Sequence, residues 1–140
     1  PSTLIAPVGS SNWCSSGASV TAPWVQTNGV YYTDALTPTV KLFVITNRPW
    51  VAGLYAKHLW IQWGDEPQSP AYPAGEAPVE IWYGKDPQGH DFAELELQGP
   101  NAVLPPGGKT SYTMYWRLEL LAENTIDAAV DRLRQLGFLP

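Results

Sequence analysis

Two glutamates in the alternating run FAELELQG, Glu94 and Glu96, are the first candidates for chemistry. Alternate side chains of a β-strand point to the same face, so the two carboxylates would lie one pleat apart on one face. The run VEIWYG likewise puts Glu80 and Trp82 on a common face, which could lie across from the pair. Three carboxylates and an indole would suit the hydroxyls and the apolar C–H face of a sugar. The same alternation is also typical of the solvated side of a strand whose other side packs on a core.

Only two histidines, His58 and His90, could exchange a proton near neutral pH. His90 follows a Pro- and Gly-containing turn, where an imidazole is usually solvated. His58 shares strand parity with Trp60 and Gln62, so a wall of these three side chains could line a groove if that face is open. The alternative is a half-buried position at a sheet edge.

Other kinds of site lack their residues. Cys14 is the only cysteine, so it forms no intrachain disulfide and leaves no Cys/His set with zinc spacing. Asp65, Glu66 or Asp86 could help the strand glutamates to gather calcium, but no calcium-loop spacing is present. No Ser-His-Asp set or phosphate-binding loop can be assembled. We therefore predict neither a metal nor a cofactor.

Composition favours one mostly β domain. The chain has 140 residues, 44% hydrophobic and 15% charged, and its 14 Pro and 12 Gly separate apolar runs as turns separate short strands. The net charge of −5 comes without a basic stripe, which argues against nucleic acid. No apolar stretch reaches the roughly 20 residues that span a bilayer, so no membrane partner is expected. Because the sequence begins with Pro, a removed signal peptide and an extracellular or periplasmic location are one interpretation.

Periodicity predicts the order of elements after an irregular N-terminal arm at residues 1–21. Asn28-Gly29 predicts a tight hairpin within 22–32, and 39–47 reads as a central strand. Two strands about a bend near Ala56-Lys57 are expected within 50–63, and further strands within 79–84, 92–99 and 110–121. A Pro-rich loop is predicted at 64–78, and a capped amphipathic helix at 125–136 closes the single domain 22–140. In the last strand the predicted inward set is Tyr112, Met114, Trp116, Leu118 and Leu120.

The stretch VEIWYGKDPQGHDFAELELQGPNAVLPPGGKTSYTMYW resembles the C-terminal part of the galactose-mutarotase-like (aldose epimerase-like) β-sandwich family. With NRPWVAGLYAKHLWIQW upstream, the similarity spans about residues 40–138. The resemblance implies an antiparallel β-sandwich, one half of the family's larger supersandwich, which either self-associates to complete its sheets or is built on a reduced plan. It also implies a carboxylate base shortly before the L-x-P-G bend, for which Glu94 and Glu96 are the candidates, and a His that protonates the ring oxygen, for which His58 is the candidate.

These observations predict a carbohydrate-recognising β-sandwich protein, with mutarotase-type isomerase activity as the enzymatic version of the idea. The predicted ligand-binding residues are Glu80, Trp82, Trp60, Trp63 and Gln62. The alternative is a structural, self-assembling subunit whose strand edges and Trp-rich faces contact other subunits. In either case a homo-oligomer is expected.

Overall fold

A computed structural model describes residues 2–15, 20, 23–35, 41–66 and 72–140 of the chain. The elements in these residues are β1 Thr3–Pro7, β2 Ser11–Cys14, β3 Val25–Thr27, β4 Val30–Thr33, β5 Leu42–Ile45, β6 Trp50–Tyr55, β7 His58–Gly64, β8 Val79–Lys85, β9 Asp91–Leu97, β10 Met114–Leu120 and α1 Ile126–Gln135. The predicted all-β class with one C-terminal helix is confirmed.

The strands form two antiparallel sheets of unequal width. One sheet has six strands in the order β10-β7-β6-β1-β4-β3, and the other has four in the order β2-β5-β8-β9. Side chains from the facing sides, such as Leu4, Val51 and Ile81, make one buried core. The architecture is therefore a sandwich in which the larger sheet extends beyond the smaller one.

Left-handed backbone positions make the tight turns that the sequence predicted. Asn28 and Gly29 have φ of 48° and 83° between β3 and β4. Ala56 and Lys57 have φ of 47° and 69° between β6 and β7, at the predicted bend. Positive φ at both central positions is the geometry of a type I′ hairpin turn, which Asn-Gly adopts readily and Ala-Lys adopts less easily.

The terminal helix covers the other side of the six-stranded sheet. Thr125 caps it, since its Oγ1 accepts a hydrogen bond from Ala128 N at 3.2 Å. Ala129, Val130 and Leu133 are buried in a second core against the sheet. The predicted packing role of the helix is thus confirmed, and among the described residues no helix is long and apolar enough to cross a membrane.

The N-terminal segment differs from the irregular arm that the sequence predicted. Residues 3–7 form β1, which lies between β6 and β4 in the larger sheet. Leu4, Ile5 and Ala6 are buried. The run TLIAP is short and is surrounded by Ser, Gly and Pro, so the local sequence does not indicate a strand. Its strand structure comes from pairing with β4 and β6 on both sides.

The last strand also differs from its prediction. Met114, Trp116, Leu118 and Leu120 share the inward side of the sheet as expected, but they are exposed rather than buried. Tyr112, predicted in the same strand, precedes β10 and is exposed as well. The physical reason is that β10 is the edge strand of the wider sheet, beyond the reach of the narrower one. The predicted Pro-rich loop is described only in part, because residues 67–71 lie outside the described residues.

Candidate functional site

The outward side of the four-stranded sheet carries most of the predicted site, and we call it the outer face. Strand register puts Trp13, Phe43, Glu80 and Glu96 in one row across β2, β5, β8 and β9. In the next row Trp82 of β8 lies opposite Glu94 of β9, and Lys41 stands beside them just before β5. The predicted juxtaposition of Glu80 and Trp82 with Glu94 and Glu96 is therefore present.

A charged cluster on the outer face is centred on Lys41. Its Nζ lies 2.5 Å from Glu80 Oε2 and 3.2 Å from Glu96 Oε2, and 5.4 Å from the centre of the Phe43 ring. Glu80 is 0% exposed although it is on the outward side. A buried carboxylate needs both a counter-charge and hydrogen bonds, and Lys41 provides the counter-charge.

The remaining bonds to Glu80 come from the segment before β8 and from the end of β9. Ala77 N donates to Glu80 Oε1 at 3.0 Å, and Gln98 Nε2 donates to the same atom at 2.7 Å. Gln98 Nε2 also donates to Glu76 Oε2 at 2.8 Å. One amide thus holds two carboxyl groups, which fixes residues 76–77 against the sheet.

The cluster shifts the pKa values of its members in different directions. Burial raises the pKa of Glu80, against the opposing effects of Lys41 and the Ala77 N–H. The hydrogen bond from Gln98, followed by that with Glu80, lowers the pKa of Glu76. Burial by itself lowers the pKa of Lys41, but its bonds to Glu80 and Glu96 raise that pKa overall. The ammonium therefore stays charged, and Glu80 is the carboxyl that more readily holds a proton.

Aromatic rings lie on both sides of this cluster. Trp13 stacks on Phe43 with ring centres 5.2 Å apart and planes within 3° of parallel. Trp82 packs against Phe92 with ring centres 5.0 Å apart, and Trp13 and Trp82 are half-buried while Phe92 is exposed. Partly exposed rings next to carboxylate, ammonium and amide groups can hold a ligand that has both apolar and hydroxyl-bearing surface.

The other four predicted site residues lie on β7 of the six-stranded sheet. His58, Trp60 and Gln62 share the inward side of β7 in the six-stranded sheet, as their parity predicted. Trp60 stacks on Trp116 with ring centres 4.8 Å apart, and Gln62 Nε2 donates to Leu95 O at 2.5 Å. This side faces the gap between the sheets.

The predicted catalytic trio is therefore not assembled within one copy, which corrects the expectation that His58 and a glutamate meet at one pocket. Glu94 and Glu96 point away from the sandwich interior, and Leu95 between them points toward it. His58 stands on the inward side of β7, where it is exposed. Strand parity was predicted correctly in both cases, but the layering of the sheets separates the two faces.

Trp63 is the fourth of these residues, and His90 is the histidine that the sequence favoured less than His58. Trp63 points to the helix side, where it stacks on Tyr115 at 5.5 Å and meets Phe138 edge-on at 5.3 Å. It also lines a cleft of about 250 Å³ together with Arg48. His90 is exposed, and its Nδ1 lies 2.9 Å from Asp86 Oδ2 in the turn between β8 and β9. Neither residue joins the outer face.

Sequence reasoning missed three members of the outer-face cluster. Lys41 alternates with Phe43 in the run TVKLFVITN, and this parity is the signal that could have placed it on the outward side. Gln98 continues the parity of Glu94 and Glu96 by one more pleat. Glu76 lies in an irregular segment, so no periodicity could have found it. Within the described residues, no group of three or more His, Cys, Asp or Glu side chains could hold a metal ion.

Comparisons with protein-family models, with curated proteins and with solved structures found no match. The resemblance to galactose-mutarotase-like proteins therefore stays an expectation from the sequence.

Proposed function

We propose that the protein recognises a carbohydrate through the outer face of its four-stranded sheet. One observation carries the proposal: the sheet register brings Trp82, Glu94 and Glu96 next to the Lys41–Glu80 pair on a single outward surface. Sugars present both apolar C–H faces and hydroxyl groups, and this surface offers rings for the first and charged acceptors for the second.

The cluster is organised before any ligand arrives. Glu80 is held by Lys41, Ala77 and Gln98, so its carboxylate fixes the position of the ammonium beside it. Among the described residues, Glu96 Oε1 has no hydrogen-bond partner, although Glu96 Oε2 contacts Lys41. A buried acceptor without a partner is costly, and the Glu96 carboxylate must turn this oxygen outward before a ligand hydroxyl can donate to it.

The arrangement of side chains in one copy favours sugar recognition over isomerase activity. Ring opening of an aldose by acid–base catalysis needs a proton acceptor and a proton donor within reach of one substrate. Glu94 and Glu96 lie on the outer face of the four-stranded sheet, whereas His58 lies on the inward side of the six-stranded sheet. A single copy thus presents carboxylates to a bound sugar without presenting this imidazole.

The test is a glycan array, followed by titration of any sugar that binds while tryptophan fluorescence is recorded. Trp82→Ala and Glu94→Gln should each weaken binding by roughly tenfold, since each removes about one stacking or hydrogen-bonding interaction. Trp60→Ala is the matched control on the other sheet and should leave the affinity within about twofold. An array without any binder, or a loss with Trp60→Ala equal to that with Trp82→Ala, would contradict the proposal.

A further inference from the structure

The inward side of β10 and β7 exposes a continuous apolar surface, which we call the open face. It consists of Trp60, 36% exposed, with Met114 at 54%, Trp116 at 65%, Leu118 at 53% and Leu120 at 73%. Register places Trp116 and Leu118 opposite Gln62 and Trp60, so the members are neighbours on one side of the sheet. Contiguous apolar surface of this kind marks an interaction site rather than ordinary solvent exposure.

The open face exists because the two sheets are offset. The edge strand of the smaller sheet, β9, lies over β6: a Cβ on Gly53 would stand 3.5 Å from Leu95 Cδ1. Gln62 of β7 reaches up to Leu95 O and closes the sandwich at that point. Next to β7 in the larger sheet is the edge strand β10. This strand and the adjoining part of β7 project past β9, and none of the described residues covers them.

On the side of this offset, β9 and β10 are edge strands that have no further partner among the described residues. Leu121 N donates to Lys57 O at 2.8 Å, so odd-numbered residues of β10 direct their backbone groups toward β7. The even-numbered residues, which carry the open face, therefore direct theirs to the outside. Among the described strands β10 pairs only with β7, and β9 pairs only with β8. Unpaired edges of this kind are templates for pairing with another chain.

We propose that a second copy of this chain covers the open face through a two-fold arrangement. Each copy's projecting strands, β7 and β10, lie against those of the other, and β10 of each copy lies beside β9 of the other. Each merged sheet then contains the six-stranded sheet of one copy and the four-stranded sheet of its partner. One contact buries both open faces and provides neighbours for the β9 and β10 edges of both copies.

The offset itself identifies the occupant as a second copy. The larger sheet projects past the smaller one by about two strands. The uncovered gap above this projection is therefore also about two strands wide. A two-fold related copy supplies a projection of the same width and chemistry, as closed isologous interfaces require. An unrelated partner would have to match both the apolar surface and the step between the sheets.

Charge and area are consistent with this arrangement. Arg117 and Glu119, on the helix side of β10, pair with each other, and Arg132 Nη2 of α1 lies 2.6 Å from Glu119, so these charges are balanced within one copy. The open face contributes on the order of 600 Å² of apolar surface per copy, given that large aromatic side chains each present about 150–250 Å². Together with the paired edges this approaches the roughly 800 Å² per partner of a standard interface.

The proposed dimer contact is separate from the proposed sugar site. The open face is the inward side of β10 and β7 in the six-stranded sheet, whereas the outer face is the outward side of the four-stranded sheet.

The first test of the dimer is sedimentation equilibrium of the whole chain. The expected species is a dimer, and Leu118→Lys should raise the dimer dissociation constant by at least about 30-fold with an unchanged far-UV spectrum, since the substitution is present twice at the centre of the contact. Val25→Lys is the matched control at the opposite edge of the sheet, on β3, and should leave the dimer intact.

The second test locates the contact. In a mixture of Ala93→Cys and Leu118→Cys chains, a short bis-maleimide should join the two different chains, because β9 of one copy lies beside β10 of the other. A mixture of Val25→Cys and Leu118→Cys chains should give no such product. A monomer at about 100 µM, where an interface of standard size is normally populated, would overturn the inference. A larger assembly, or a dimer without the Ala93–Leu118 product, would overturn it equally.

Discussion

Removing the ammonium of Lys41 tests whether the outer-face cluster is built around a buried carboxylate. The change is Lys41→Met, which keeps the length and apolar character of the stem and removes the charge. Glu80, 0% exposed, would then face Glu76 and Glu96 without its counter-charge. Breaking a fully buried pair from one side costs about 3–5 kcal/mol, and since Lys41 is 24% exposed we expect a loss of about 2 kcal/mol near pH 7.

The size of this loss should depend on pH in a definite direction. Burial raises the pKa of Glu80 in the folded protein above its value in the unfolded chain. The neutral carboxyl therefore stabilises the folded protein at low pH, and this stabilisation is lost as the pH rises through the folded-state pKa. Lys41 opposes this shift, and its removal raises that pKa further. The destabilisation by Lys41→Met should therefore shrink as the pH is lowered from about 7 to about 4, where Glu80 takes up a proton in both proteins.

Urea unfolding at both pH values measures the effect, with Lys85→Met as the matched control. Lys85 and Asp91 form an ion pair at 2.6 Å on the same sheet, but their side chains are 58% and 53% exposed, so this control should lose less than about 1 kcal/mol. The double variant Lys41→Met/Glu80→Gln should recover part of the loss, because it removes the uncompensated charge. An equal loss at both pH values, or a loss no larger than that of Lys85→Met, would refute the reasoning.

Three further predictions concern stability and are measured by urea unfolding. Leu133→Ala should cost about 3 kcal/mol, because this fully buried side chain fixes α1 to the larger sheet, whereas the same change at the half-buried Leu136 should cost clearly less. Gly29→Ala should cost about 1 kcal/mol, because φ is 83° there, although the added Cβ would make only an ordinary contact with Leu139 Cδ2 at 3.8 Å; a neutral result would contradict the strain argument. Hydrogen bonds from Arg117 and then Arg132 lower the pKa of Glu119. The Glu119 carboxylate therefore stabilises the folded protein at pH values above the ordinary glutamate pKa, and this stabilisation is lost as the pH falls through the lowered pKa. The stability gap between wild type and Glu119→Gln should narrow from about pH 5 to about pH 3, and a widening gap would contradict this sign.

Much of the outer face could be predicted because its information is local. Residue alternation alone put Glu80 with Trp82 and Glu94 with Glu96, and both pairs share parity in the folded sheet. The hairpin at Asn28-Gly29 was predicted for the same reason, since two neighbouring residues set the turn. The burial of Glu80 could not be predicted, because it depends on Lys41 and Gln98, which lie 39 and 18 residues away in the chain.

The sequence by itself determined which side chains of each strand share a face, where the tight turns lie and where the helix ends, because these follow from periodicity and turn chemistry over a few residues. Only the tertiary structure decided which face of each strand is covered. Trp116 and Leu118 have the apolar pattern of a core strand, yet they are exposed because β10 projects past the edge of the smaller sheet. His58 and Glu96 lie on different faces for a related reason: sheet order and offset are properties of long-range pairing, and alternation within one strand carries no information about them.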